Sequence, residues 1–242
     1  MKIKPIFKSI LWAVLILVFY SVGGAISQIM EMDIIQTRFV QGICIWLSVL
    51  FAFGYLWKTN KSLKDFGFQR VMKNTNKLVI WYLPAILIEV MGLFVGFENN
   101  TLKYIFVTLF MTLGVGIAEE LYFRGIILKT LDILGIKKAI IVSALIFGVT
   151  HIGNVMGGAD LFFTLIQISY AFIIGIVFAQ LYILTKSIYL VIFWHFLHDF
   201  LCYIQKEPDT KTTIIIGGFQ VIILVIYSII LWRKLPEKEL SN

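Results

Sequence analysis

Residues 106–123 read FVTLFMTLGVGIAEELYF, and the fold follows from how this stretch is read. It is apolar enough to cross most of a bilayer, yet it ends on two adjacent carboxylates, Glu119 and Glu120. An ionisable side chain at membrane depth costs roughly 2.5–3.5 kcal/mol on insertion scales, so it is retained for a purpose by default. The three histidines share this habit. His151 follows IIVSALIFGVT (140–150), while His195 and His198 sit in IYLVIFWHFLHDF (188–200).

The rest of the chain agrees. Hydrophobic residues make up 60% of the 242, charged residues only 14%, and the mean hydropathy is +0.91. Soluble domains carry about 25% charged residues. A membrane-spanning helix needs about 20 apolar residues. Eight segments qualify, at roughly 8–28, 39–57, 78–97, 103–123, 138–155, 161–184, 187–204 and 212–232. The expected architecture is an all-α polytopic bundle of about eight transmembrane helices. It forms one domain over 1–242, with a chemically active core at about 103–204. The first segment follows Lys2, Lys4 and Lys8 but is too long for a signal-peptide core and lacks a small-x-small cleavage site, so it reads as a retained helix.

Loop charge orients the bundle. Taking connections alternately, one set holds 17 Lys and Arg residues, including Lys58, Lys64, Arg70, Arg124, Lys138 and Lys186, against four in the other. The excess marks the cytoplasmic side and puts both termini there. The net charge of +7 is therefore topological; nucleic-acid binding is not implied, because the basic residues are divided among loops between spans. The segment Trp57–Lys77 is the longest polar stretch and predicts a short interfacial helix around Leu63–Met72. Cys44 and Cys202 both lie in apolar spans and read as buried free thiols, with no disulfide framework.

Three clusters carry chemistry. In AEELYFRG (118–125), Glu120 and Arg124 are four apart and share a helix face, so they can pair. Glu119 then points about 100° away, toward another neighbour. The opposing reading is a solvated E-E-R cluster at a helix end. In FGVTH (147–151), Phe147 lies one turn before His151 and would limit its rotamers, or simply pack. In HFLHD (195–199), His195 and Asp199 share a face, a spacing suited to joint action on one substrate oxygen or metal, or to a mere Asp–His hydrogen bond. Spacing leaves open which of His195 and His198 stands apart. Bringing the clusters to one depth requires helix tilt or a longer fourth helix. Glu89, in LPAILIEVMG (83–92), is a further intramembrane carboxylate: it faces a water-filled cavity or marks a span end reset by Pro84.

The series EExxxR, FxxxH and HxxxD, in this order on separate apolar segments, resembles the CPBP family of intramembrane proteases. That family includes CAAX-prenyl endopeptidases and the bacterial (Abi) bacteriocin-processing or self-immunity proteins. The matching residues are Glu119, Glu120 and Arg124, then Phe147 and His151, then His195 and Asp199, and the segment Leu63–Phe68 looks like the family's preceding polar loop. The resemblance implies peptide-bond hydrolysis in the membrane, with Glu119 and His151 activating water and the third motif near the scissile carbonyl. Asp199 stands where the endopeptidase branch has Asn. It would orient His195, be held protonated, or ligate a metal. Glu119, His151, His195 and Asp199 are the zinc candidates.

The implied substrate is a membrane-associated peptide, such as a bacteriocin or pheromone precursor, or a prenylated or otherwise lipidated C-terminus. The implied location is a bacterial cell membrane, with the site toward the cytoplasm. Two other functions compete: a non-catalytic scaffold or immunity protein, and a proton-coupled transporter using Glu89, Glu119 and the histidines. The transporter reading lacks the internal repeat common in such proteins.

Overall fold

A computed structural model describes residues 3–59, 62–71 and 82–237. The described residues form helices α1 (Ile3–Ile29), α2 (Ile34–Lys58), α3 (Leu83–Leu93), α4 (Leu102–Glu120), α5 (Leu128–Leu131), α6 (Ile136–Thr150), α7 (Gly153–Met156), α8 (Leu161–Thr185), α9 (Tyr189–Ile204) and α10 (Thr210–Trp232). Six stretches are long and apolar enough to cross a membrane. Two shorter apolar helices, Leu83–Leu93 and Tyr189–Ile204, stand where two more of the eight expected spans were placed, so the described residues hold six helices of spanning length rather than eight. The protein is a polytopic helical bundle.

Side-chain contacts give the helix directions. Trp12 on α1 meets Tyr55 on α2, and Gly23 meets Gln41, so these two run antiparallel. Gly42 lies against Phe110, and Gly114 against Ile45, so α2 and α4 run parallel. Tyr104 reaches Tyr203 and Glu120 reaches His195, which sets α4 antiparallel to α9. α6 and α8 are antiparallel through Gly148 with Ile168 and Phe147 with Gly175. The start of α1, the end of α2, the α8–α9 turn and the end of α10 therefore share one end of the bundle. This is the end rich in lysine and arginine. The opposite end carries the connections 30–33, 94–101, 151–160 and 205–209, where Asp33, Thr101, Asp160 and Asp209 cap α2, α4, α8 and α10. Each side-chain oxygen there satisfies one or two of the N–H groups that a helix start leaves unpaired.

Two glycines set how closely the helices bearing the clusters approach. A Cβ on Gly116 would lie 3.0 Å from the Phe196 nitrogen and 3.1 Å from the Ile192 carbonyl of α9. One on Gly148 would lie 2.9 Å from the Ile168 carbonyl of α8. Small residues let backbones meet where lipid offers no hydrophobic drive to association.

Three expectations change. The fourth span does not end near Phe123: α4 continues through a π-helical turn, Leu121–Ile127, into α5 and a 3-10 turn, Asp132–Leu134. This supplies the longer fourth helix that matching depths require. The interfacial helix reduces to one 3-10 turn, Leu63–Phe66, closed by Gly67; Met72 lies outside the described residues. The chain beyond that turn docks instead of lying free. The Ile188 amide donates to the Gly67 carbonyl at 2.8 Å, and the Gln69 side chain donates to the Lys186 carbonyl at 2.9 Å. The third span, placed at 78–97, is described as helix only over Leu83–Leu93, and residues 78–81 lie outside the described set.

Candidate active site

Glu120 and Arg124 form a fully buried ion pair, with Nη1 donating to Oε1 at 2.8 Å. The solvated-cluster alternative falls, because the helix runs on past Arg124 into the bundle core. Arg124 also donates to the Gly175 carbonyl at 3.3 Å and lies over the rings of Phe147 (4.5 Å) and Phe178 (5.2 Å). The pair sits where α4 passes into its π-helical turn, a feature frequent at functional sites.

The same Glu120 oxygen accepts a second bond, from His195 Nδ1 at 2.8 Å. Arg124, Glu120 and His195 thus form a relay that fixes the imidazole. The hydrogen-bonded partner that orients His195 is Glu120, and not Asp199, for which orienting His195 was one of three readings. Asp199 Oδ2 stands 3.7 Å from Nε2, an ion-pair distance too long for a hydrogen bond. Glu119 Oε2 stands at the same 3.7 Å from Nε2 and is buried without any hydrogen-bond partner.

His151 caps the end of α6. Its Nδ1 donates to the Phe147 carbonyl at 3.1 Å, and its ring meets the Phe147 ring edge-on at 5.2 Å. In the neutral ring this leaves the lone pair on Nε2. Phe147 also touches the rings of Phe123 and His195, so the residue one turn before His151 packs against all three clusters. No hydrogen bond or ion pair joins His151 to Glu119 among the described residues.

Glu119, His151, His195 and Asp199 line one cavity of about 850 Å³, joined by Tyr20 of α1. Tyr20 was not evident in the sequence: a tyrosine in an apolar helix far from the motifs carries no signal, yet its buried hydroxyl comes up to Glu119. Phe123, Phe147 and Phe178 form the cavity floor, near mid-bundle. From there the walls run through Gln28, Asn154 and Ala159. The cavity therefore extends toward the end of the bundle opposite the basic loops, where a site facing that basic end was expected.

His198 is the histidine that stands apart. Its Nδ1 donates to Glu89 Oε1 at 3.1 Å, and the Trp194 indole donates to the same oxygen at 2.7 Å. Tyr170 stacks on the His198 ring, at 5.7 Å between centroids and 17° between planes. The intramembrane carboxylate of Glu89 is thus a satisfied acceptor between α3 and α9. Cys44 is buried as expected. Cys202 is not: it is exposed, with its sulfur 3.9 Å from His198 Nε2 on the cavity wall.

Catalytic zinc needs three protein ligands converging on one point. Among the described residues no three His, Cys, Asp or Glu side chains are grouped to hold a metal ion. His195 Nδ1 is committed to Glu120 and His151 Nδ1 to a backbone carbonyl. The four zinc candidates share a cavity without forming a ligand set.

The cavity thus gathers carboxylates and imidazoles from three helices in the interior of an apolar helical bundle. Residues 101–201, from the cap of α4 to near the end of α9, match the family described as "Type II CAAX prenyl endopeptidase Rce1-like". This agrees with the CPBP resemblance of the three motifs, and similarity to this family supports an intramembrane endopeptidase in general. No curated protein and no solved structure matches the chain.

Proposed function

We propose that the protein hydrolyses an internal bond of a membrane-associated peptide, using water activated between Glu119 and His151. The observation that carries this reading is the shared cavity, which Glu119, His151, His195 and Asp199 all line, with Glu119 Oε2 left without a hydrogen-bond partner. A base pair that activates water must leave room for an oxygen between its members, and no direct hydrogen bond or ion pair joins these two side chains.

In this mechanism the water oxygen attacks the scissile carbonyl carbon while Glu119 takes its proton, with His151 Nε2 accepting a hydrogen bond from the same water. The carbonyl oxygen becomes an oxyanion. His195 Nε2 would donate to it, which requires a ring protonated on both nitrogens, since Nδ1 already donates to Glu120. Glu120, Glu119 and Asp199 supply countercharge for that imidazolium, at 2.8, 3.7 and 3.7 Å. Collapse of the tetrahedral intermediate breaks the C–N bond, and the proton on Glu119 passes to the leaving amine. Asp199 is then a countercharge to His195 rather than an oxyanion donor.

The substrates that fit this reading are a bacteriocin-like or pheromone-like precursor, or a prenylated or otherwise lipidated polypeptide, in a bacterial cell membrane. The test is cleavage of such a peptide in proteoliposomes by the wild type and by Glu119→Gln. Loss of cleavage with an unchanged melting curve is expected. Undiminished cleavage by Glu119→Gln overturns the assignment.

A further inference from the structure

The sequence places the basic connections on the cytoplasmic side, whereas the cavity extends to the other end of the bundle. Arg124 proves to be buried rather than in a loop, but without it the basic excess at the end bearing Lys58, Lys64, Lys138 and Lys186 remains large. That end is also closed beneath the site. Phe66 is buried, Gly67 is bonded to the α8–α9 turn, and Leu128, Ile183 and Ile188 fill the space below the Arg124 relay with no exposed surface to speak of. On the other side of Glu119, the cavity wall rises through the last turns of α1, the 151–160 connection and the first turns of α8. Its polar groups there include the carboxamides of Gln28, Gln41, Asn154 and Gln167, with Asn154 donating to Gln167 at 2.8 Å, and the hydroxyls of Ser21, Thr150, Tyr170 and Tyr203.

We propose that the site receives its substrate from the non-cytoplasmic side, as an extended internal segment of an exported or surface-anchored polypeptide. Carboxamides both donate and accept, which suits a peptide backbone entering without regular structure. Among the described residues no lysine or arginine lines the cavity, whereas Glu119 and Asp199 do. Arg38, which lies at this end, is held between the rings of Tyr104 and Tyr203 and donates to the Tyr104 hydroxyl. A free C-terminal carboxylate at the scissile site would therefore meet Glu119 and Asp199, while the His195 imidazolium beside it is already countered by Glu119, Glu120 and Asp199. A chain continuing past the cleaved bond avoids this.

The substrate part of this proposal rests on the peptidase reading; the direction of access does not. Cys202 is exposed on the cavity wall and Cys44 is buried, so the natural protein carries its own reporter. Cells producing the full chain are converted to right-side-out and inverted vesicles and treated with a membrane-impermeant sulfonated maleimide. Cys202→Ser supplies the background, and Ser62→Cys marks the basic end. Labelling of Cys202 in right-side-out vesicles, with loss of that labelling in inverted ones, is expected. Ala159→Cys, at the mouth, decides the matter where Cys202 proves too deep for the reagent.

Faster or equal labelling from the inverted side overturns the proposal, whether or not any peptide is cut. The substrate part is read separately, from a peptide cleaved near its C-terminus and offered as free acid and as amide. Equal or faster cleavage of the amide is expected, and a strict requirement for the free acid overturns it.

Discussion

Glu120 accepts hydrogen bonds from Arg124 and from His195 on a single oxygen, each at 2.8 Å, and so ties the buried cation of α4 to the imidazole of α9. A buried charge stripped of its partner is expensive, and the site depends on this junction. The consequences divide between stability and catalysis.

Glu120→Gln leaves the Arg124 guanidinium buried without its countercharge. Removing one partner of such a pair costs about 3–5 kcal/mol, so the melting temperature in detergent falls sharply. Replacing both partners, with Glu120→Gln and Arg124→Met, recovers much of that stability. It does not restore cleavage, because His195 has lost its orienting carboxylate. Thermal melts beside peptide cleavage separate the two effects.

For Glu119→Gln the pattern reverses. Its free oxygen makes no structural bond, so the melting curve holds while cleavage falls by roughly 10²–10⁴, the usual contribution of a general base. Single-turnover cleavage in proteoliposomes measures the loss.

Glu89 provides the contrast. Its carboxylate serves Trp194 and His198 and does not line the cavity. Glu89→Ala leaves buried donors unpaired at about 1–3 kcal/mol, while cleavage per folded molecule is retained. A transporter using Glu89 as a proton relay would instead lose function with fold intact, which a proton-flux assay on the same vesicles detects.

Gly116→Ala places a methyl group against backbone atoms of α9 that cannot rotate away. Overpacking of this kind costs about 1–3 kcal/mol and moves His195 relative to Glu119. Cleavage is expected to fall by more than the stability loss explains. Gly217→Ala, which meets nothing within 4 Å, serves as the neutral control in the same two assays.

Extended dialysis against a strong chelator is expected to leave cleavage unchanged, since the four candidate zinc ligands share a cavity without converging. Loss of activity restored by added zinc would require the site to rearrange around the ion.

The spans and the three motif clusters are legible because both are local properties. Apolar length is written along the chain, and an ionisable residue within it stands out against lipid-compatible neighbours. The pairing of Glu120 with Arg124 is legible for the same reason, being four residues apart on one helix. The role of Glu89 is not: its partners lie on α9, more than a hundred residues away in the chain.

The sequence by itself determined that this is a helical membrane bundle, which end of it is basic, and which ionisable side chains it carries in apolar surroundings. Composition and helical spacing suffice for that, because every backbone group within lipid must be satisfied inside its own helix. Only the tertiary structure decided that Glu120 rather than Asp199 orients His195, that His198 belongs to Glu89, that Tyr20 joins the site, and toward which end the cavity extends. These outcomes depend on how closely α4 approaches α9 and on which atoms then come within hydrogen-bonding reach, and no spacing along a single helix encodes that distance.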